Sequence, residues 1–261
     1  MYESSTPPSP IVNGRSTGME RRDTPAQPQI TLFCIPHAGG GASAYRNWAQ
    51  ALAPQVSVKV LQSRGRESRF REPPLTELED VLEDLYRFVE PDTTGPFAFL
   101  GHSMGALLTF ELAHRLRART GRVPVHLFIS ACRAPNRVQL DTPCSSWPQP
   151  EFIAEIERRY GGFPPQVLAD AEFMAAILPA MRADFRILER YRAPERPLLD
   201  CPITVFGGRS DITTPQAALE DWQQQTRGAF SLVMLDASHF YLQEKRAVVA
   251  SKILGALSLA R

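Results

Sequence analysis

A serine lies between two glycines in the pentapeptide GHSMG at 101–105. The residues before it, PFAFL at 96–100, have the pattern of a strand, and those after it have the pattern of a helix. In this context G-x-S-x-G holds a serine on a strained turn with its hydroxyl exposed, and the glycines avoid clashes where strand and helix pass closely. The pattern predicts Ser103 as a nucleophile rather than as an idle serine in a structural turn.

A serine hydroxyl needs a neighbouring base that takes its proton. In a strand–turn–helix hydrolase the partners are expected in the chain order Ser, then Asp or Glu, then His. Only His239 lies late in the chain, in a loop after a strand pattern. The other four histidines precede or adjoin the serine or lie on the next helix and strand: His37, His102, His114 and His126. His239 is therefore predicted to be the base.

The acid is sought in the loops that follow strands. Asp211 follows the strand pattern ITVFG at 203–207, where a carboxylate could orient the imidazole and stabilise its positive charge. Asp141 stays open as the alternative, because some hydrolases of this fold place the acid one strand earlier. Asp236 shares the segment of the histidine, and Asp184 belongs to a helical insertion. We favour Asp211.

The oxygen that becomes negative during attack on a carbonyl needs two backbone donors. The amide of Met104 follows the serine and begins a helix, whose dipole favours negative charge. The second donor is expected in PHAGGG at 36–41, an open loop after the first strand pattern, with Ala38 as the best candidate. A phosphate-binding interpretation of this loop lacks the G-K-[ST] and G-x-G-x-x-G patterns.

Strand and helix patterns alternate along 29–261 and predict one α/β domain with a mostly parallel sheet covered on both faces. Strand patterns occur at 30–35, 56–61, 96–100, 125–131, 203–207 and 230–235, and helical patterns at 44–52, 75–89, 105–119 and from 244. The alternation stops at about 147–192, where two or three helical patterns occur without a strand. We interpret this insertion as a lid rather than as additional core packing.

Composition narrows the class of protein. A formal net charge of +1 gives no electrostatic reason to expect nucleic acid or an anionic membrane as a partner. The basic run RGRESRFR at 64–71 is interpreted as a solvated loop.

Residues 1–28, rich in proline, serine and threonine, predict a disordered leader. No membrane-spanning stretch and no signal peptide is recognised, so the cytoplasm is expected.

Four widely spaced cysteines argue against a disulfide framework or a zinc site. Cys34 and Cys132 lie inside strand patterns and are expected to be small buried hydrophobic residues. We expect no metal and no cofactor.

Five separated motifs follow one another along the chain: LFCIPHAGGGASAYRNWAQAL, RGRESRFREPPL, FLGHSMGALLTFELAHRLR, RADF and DASHFYL. In sequence and in order they resemble the type II thioesterases, the stand-alone α/β-hydrolases that accompany polyketide synthases and nonribosomal peptide synthetases. The medium-chain acyl-carrier-protein thioesterases are similar. The resemblance covers about residues 30–255 and departs at SRGR, 63–66, where the family usually has a proline before the glycine.

The resemblance implies an α/β-hydrolase fold with a mobile lid at 147–192. It implies five site residues: Ser103 as nucleophile, Asp211 as acid, His239 as base, and Ala38 and Met104 as oxyanion donors. The implied reaction is hydrolysis of an acyl thioester on the phosphopantetheine arm of an acyl or peptidyl carrier protein, through an acyl-enzyme. The implied role is to clear stalled or misprimed acyl groups, and a monomer that binds its carrier transiently is expected.

Three other functions are compatible with the same residues. A medium-chain acyl-carrier-protein thioesterase would release finished chains. A carboxylesterase or lipase would use the same catalytic groups on oxygen esters. A catalytically inactive hydrolase fold would serve as a binding module, and its serine would resist a fluorophosphonate probe.

Overall fold

The computed structural model describes residue 1 and residues 30–138 and 142–258. Apart from its first residue, the predicted leader lies outside these ranges, and so does the alternative acid Asp141. The fold is described here for the two long ranges.

Six parallel strands form one sheet within these ranges, in the order β2-β1-β3-β4-β5-β6. They are β1 Ile30–Ile35, β2 Val56–Val60, β3 Phe97–His102, β4 His126–Ser130, β5 Ile203–Gly208 and β6 Phe230–Leu235. The four central strands are almost entirely buried, because helices cover both faces of a parallel sheet. The predicted α/β architecture is therefore present, and the predicted strands agree with the observed ones to within about two residues at each end.

The helices lie on the two faces of this sheet and in one insertion. They are α1 Trp48–Leu52, α2 Leu78–Val89, α3 Met104–Thr120, α4 Gln149–Tyr160, α5 Pro165–Ala169, α6 Ala171–Arg190, α7 Gln216–Glu220 and α8 Arg246–Ser258. On one face α2 and α3 contribute to a core cluster with Phe33 and Phe99, and on the other α1 and α8 pack around Leu32 and Phe128. The alternation of side chains along each strand supplies both cores.

The predicted insertion consists of α4, α5 and α6, with its own apolar cluster. The two patterns expected to begin at Ala171 and Met181 form one helix, which continues through Pro179. Although an internal proline removes one backbone hydrogen bond, Leu178 and Met181 lie on either side of it in the same buried cluster. Side-chain burial on both sides therefore favours one continuous helix.

The strand order opens a crevice beside β1. The chain leaves β1 towards β2 and then returns to β3 on the opposite side, so the loops that follow β1 and β3 diverge at the carboxyl edge of the sheet. The PHAGGG loop follows β1, and Ser103 follows β3. Asp211 and His239 follow β5 and β6 at the same edge. Parallel pairing thus gathers the predicted site residues at one edge.

The basic run at 64–71 differs from the solvated loop that was predicted. Arg64 and Arg69 both pair with Asp84, at 3.0 and 2.6 Å. Arg66 is 8% exposed and pairs with Asp184. Asp84 and Asp184 lie on the helices α2 and α6, outside the basic run, so the sequence of the loop alone does not reveal that these three arginines are paired within the fold.

All four cysteines are buried, as predicted for Cys34 and Cys132. Among the described residues, no cluster of histidine, cysteine and carboxylate side chains could hold a metal ion. None of the helices in that part of the chain combines the length and the apolar composition that crossing a bilayer requires.

Candidate active site

Ser103 occupies the sharp turn between β3 and α3, at φ 55° and ψ −121°. A positive φ at a residue with a side chain stores strain. A Cβ on Gly101 would lie 2.3 Å from the carbonyl oxygen of Gly105, and a Cβ on Gly105 would lie 2.1 Å from the carbonyl oxygen of Ile35. Both glycines are required because backbone atoms occupy the space that a side chain would need.

Two neighbouring loops bring His239 and Asp211 together. The Arg209 amide donates to the Leu235 carbonyl at 2.8 Å, and the Ser210 amide donates to the Ala237 carbonyl at 3.0 Å. These backbone bonds place His239 Nδ1 2.7 Å from Asp211 Oδ2. A carboxylate only accepts, so Nδ1 carries the hydrogen and Nε2 is left with a lone pair.

The carboxylate of Asp211 accepts three further hydrogen bonds. Oδ1 accepts from the Thr213 amide at 2.9 Å and from the Thr213 hydroxyl at 2.6 Å, and Oδ2 accepts from the Thr214 hydroxyl at 2.7 Å. Burial by itself would raise the pKa of Asp211, but the hydrogen bond and charge of His239, with the two hydroxyls, outweigh it and hold the pKa below its ordinary value. Asp211 is therefore ionised at neutral pH.

Two cavities meet at Ser103 and His239, which line both of them. The first, about 340 Å³, is mainly apolar and is lined by the insertion, with Ile156, Ile177 and Phe185 among its walls. The second, about 210 Å³, has a mixed lining, in which apolar residues such as Val138, Leu188 and Ile212 lie beside three arginines and three threonines: Arg133, Arg158, Arg159, Thr142, Thr213 and Thr214. The serine thus lies between an apolar chamber and a mixed one, which we call the basic chamber after its arginines.

Each of the two predicted oxyanion donors lines a cavity that Ser103 also lines. Met104 is the first residue of α3, and Ala38 follows the end of β1 in a turn that the Gly40 amide closes by donating to the His37 carbonyl at 2.9 Å. The close approach of Gly105 to the Ile35 carbonyl holds the start of α3 against the end of β1. Ala38 lines the apolar chamber, and Met104 lines the basic one.

The other aspartates considered as acids have different partners. Asp184 is buried, and its carboxylate is bonded to Arg66 and to the Gly39 amide. Asp236 is exposed and pairs with Arg209 at 3.1 Å. Of the described aspartates considered, only Asp211 is bonded to His239.

Two further histidines lie beside His239 and are kept neutral. Burial, followed by the charges of His239 and Arg66, lowers the pKa of His37 to about 4. Burial also lowers the pKa of His102, whose Nδ1 lies 2.9 Å from the Ser130 hydroxyl. Neither ring is bonded to Asp211 in the described structure.

Sequence reasoning missed several residues around the pair. Thr213 and Thr214 follow Asp211 by two and three positions, and their short spacing is a signal that could have been used. The rings of Tyr160 and Phe240 each lie 4.9 Å from the ring of His239. Tyr160 belongs to the insertion, and no local pattern connects it to the histidine.

A parallel sheet that carries a strained serine turn and a buried His–Asp pair on one edge defines an α/β-hydrolase. The family model of the thioesterase domain matches residues 30–257. The chain therefore belongs to the thioesterase family. The expected fold, the expected hydrolase activity and the resemblance to type II thioesterases are confirmed by these findings and by the relatives below.

Known relatives align with this chain along most of their length. The gramicidin S biosynthesis protein GrsT of Aneurinibacillus migulanus is 42% identical over 223 residues, which cover 84% of this chain and 85% of the relative. Thioesterase PikA5 of Streptomyces venezuelae is 34% identical over 233 residues, covering 89% and 82%. The structure of the type II thioesterase BorB from the borrelidin biosynthetic cluster superposes with a TM-score of 0.81 at 36% identity, covering 89% and 95%.

Proposed function

We propose that this type II thioesterase hydrolyses acyl thioesters on the phosphopantetheine arm of a carrier protein, with Ser103 as nucleophile, His239 as base and Asp211 as acid. The observation that carries the proposal is the meeting of two chemically different cavities at Ser103 and His239. A substrate made of an apolar chain and a polar, anionic arm, joined at the reacting bond, matches that arrangement.

The first half-reaction forms the acyl-enzyme. Ser103 Oγ attacks the thioester carbonyl while His239 Nε2 takes its proton, and the carboxylate of Asp211 stabilises the resulting imidazolium. The amides of Ala38 and Met104 donate to the negative oxygen of the tetrahedral intermediate. Collapse breaks the carbon–sulfur bond, and the thiolate leaves with the proton from His239.

The second half-reaction restores the serine. Water enters beside His239, which removes a proton as the water oxygen attacks the acyl carbonyl. The same two amides stabilise the second tetrahedral intermediate. Collapse returns the proton to Ser103 Oγ and releases the carboxylic acid.

The two cavities divide the substrate between them. The apolar chamber would hold the acyl chain against Ile156, Ile177 and Phe185. The basic chamber would take the pantetheine arm, whose amides suit threonine hydroxyls and whose phosphodiester suits arginines. The relatives GrsT and BorB belong to gramicidin S and borrelidin biosynthesis, which favours carriers of peptide or polyketide assembly and a role in clearing wrongly acylated arms.

The test loads carrier proteins with acyl groups of increasing length and follows release of the free acid. Wild type should release acid, and Ser103→Ala should be inactive. Ser258→Ala, at the far end of α8, is the matched control and should behave as wild type. Failure of the wild type on every loaded carrier, or a strong preference for the matched oxygen ester, would contradict the proposal.

Two further measurements address the remaining functions. A sharp optimum for medium-length saturated chains would favour chain release over clearing of mixed acyl groups. A serine that a fluorophosphonate probe leaves unlabelled would favour an inactive binding module. We expect labelling of Ser103 and broad acceptance of acyl groups, together with a monomer in sedimentation and no cofactor requirement.

A further inference from the structure

The glycine-rich loop after β1, residues 36–41, is held by a buried ion pair outside the His–Asp pair. Asp184 on α6 accepts from the Gly39 amide, with 2.7 Å between the nitrogen and Oδ2. The same carboxylate pairs with both terminal nitrogens of Arg66, at 2.6 and 3.1 Å. The side chains of Arg66 and Asp184 are only 9% and 7% exposed.

Arg66 connects this carboxylate to the loop a second time. Its Nη1 also donates to the Gly40 carbonyl at 3.3 Å, and its Nε donates to the Arg64 carbonyl at 3.2 Å. The next residue, Glu67, accepts from the hydroxyl of Ser43 at 2.6 Å. The segment after β2 is thus bonded to the glycine-rich loop at Gly40 and to Ser43, two residues beyond its end.

The helix α6 also limits the loop sterically. Gly39 has φ +74°, and a Cβ at this position would lie 2.9 Å from the Met181 side chain. Met181 and Asp184 are one turn apart on α6 and therefore lie on the same face. One face of the insertion thus determines both the space and the hydrogen-bond partner of Gly39.

The orientation of the Gly39 amide bears on the neighbouring peptide group. The Gly39 nitrogen and the Ala38 carbonyl belong to one planar unit, so an acceptor at the Gly39 nitrogen restricts the rotation of Ala38. The Ala38 amide is the donor that the proposed mechanism aims at the oxyanion, and a displacement of about 1 Å in such a group can cost roughly 100-fold in rate.

We propose that Arg66 and Asp184 are positioning residues, which fix the Ala38–Gly39 peptide and so restrict the torsions of Ala38, through which the N–H of the preceding peptide is aimed at the developing oxyanion. This inference rests on the proposed role of Ala38. Stability alone is a poor reason for such a pair, because well-packed apolar residues in place of a buried ion pair are often as stable or more stable. Because Asp184 lies on α6, the pair also makes the conformation of the glycine-rich loop depend on the position of α6.

The experiment uses Asp184→Asn, Arg66→Lys and the apolar double variant Arg66→Met/Asp184→Leu. Activity is measured on p-nitrophenyl esters and on acyl thioesters, per active site titrated with a fluorophosphonate. We expect kcat to fall by about 10-fold to 100-fold, bounded by the loss of one oxyanion donor, with KM nearly unchanged. The double variant should recover thermal stability without recovering kcat, because a leucine at position 184 offers the Gly39 amide no acceptor.

A second measurement reports on the oxyanion directly. An acyl trifluoromethyl ketone forms a hemiketal with Ser103 whose oxygen imitates the tetrahedral intermediate, so its inhibition constant should rise by the same factor by which kcat/KM falls. Glu77→Gln is the matched control. It removes an exposed contact of α6, at 2.7 Å from Arg190, and should leave both quantities as in wild type.

The inference is overturned if kcat per titrated site stays within about threefold of wild type in Asp184→Asn and Arg66→Lys. It is equally overturned if the double variant recovers both stability and kcat, since the pair would then serve the fold alone. Activity on the p-nitrophenyl ester keeps this test independent of the proposed function, because the ester requires no carrier protein. A wild type that hydrolyses the ester and ignores carrier thioesters would refute the proposed substrate and still allow the positioning test.

Discussion

Replacing Asp211 by asparagine should give His239 the wrong tautomer. Asparagine offers one oxygen and one NH₂ group in place of two acceptor oxygens. The Thr213 amide, 2.9 Å from Oδ1, can only donate, whereas the two threonine hydroxyls can rotate and accept. The asparagine oxygen is therefore expected at the Oδ1 position, with its NH₂ group facing His239 Nδ1.

That arrangement has a large kinetic consequence. Nδ1 becomes the acceptor, so the hydrogen moves to Nε2, which then cannot take the proton of Ser103. The same substitution in a Ser-His-Asp protease costs about 10⁴ in kcat with the geometry intact, which corresponds to roughly 5 kcal/mol in the activation barrier. We expect a loss of this size in Asp211→Asn, with a folded protein and little change in KM.

The assay follows thiol release from a small acyl thioester, with circular dichroism as a check on folding. Asp236→Asn is the matched control, because Asp236 lies in the segment of His239 but is exposed, and it should be as active as wild type. Asp141→Asn tests the alternative acid and should also be active. The reasoning is refuted if Asp211→Asn keeps more than about a tenth of the wild-type kcat, or if Asp141→Asn loses as much.

Three further predictions concern stability and specificity. Gly101→Ala should lower the free energy of unfolding by about 3 kcal/mol in urea titration, because its Cβ would meet the backbone of α3. Gly255→Ala in α8, where a Cβ meets nothing, should raise the free energy of unfolding by about 1 kcal/mol. Burial lowers the pKa of His126 to about 4, so the unfolded state binds the extra proton first as pH falls below 6.5 and stability declines towards pH 4. His126→Gln should reduce the difference in unfolding free energy between pH 7 and pH 5 by about 2 kcal/mol, and an unchanged difference would contradict this. Ile177→Trp should fill part of the apolar chamber and shift preference to shorter acyl chains, and an unaltered chain-length profile would show that the chain binds elsewhere.

Much of the fold could be predicted from the sequence because its signals are local. The buried strands appear as short apolar runs, and the turn at Ser103 needs glycines at positions set by its own backbone. His239 was identified from chain order, which the connectivity of the fold imposes. The continuity of α6 through Pro179 was missed, because burial on both sides of a proline is not a local property.

The partners of the carboxylates could not be predicted in the same way. Asp184 was weighed as a catalytic acid from its residue type alone, yet it is bonded to Arg66, 118 positions away. Arg66 was assigned to a solvated basic loop, yet it is buried beside the glycine-rich loop. The type of a residue determines what its side chain can donate or accept. Its partner depends on which distant segments of the chain the fold places beside it.

The sequence by itself determined the parallel α/β architecture, the strained serine turn and the family, because backbone preference, apolar periodicity and motif spacing act over a few residues. Only the tertiary structure decided which carboxylate meets His239, how the two chambers meet at Ser103 and what holds Gly39. Each of those relationships joins segments that are distant in the chain, and their free energies depend on distances of about 3 Å that exist only after the sheet and the insertion have packed.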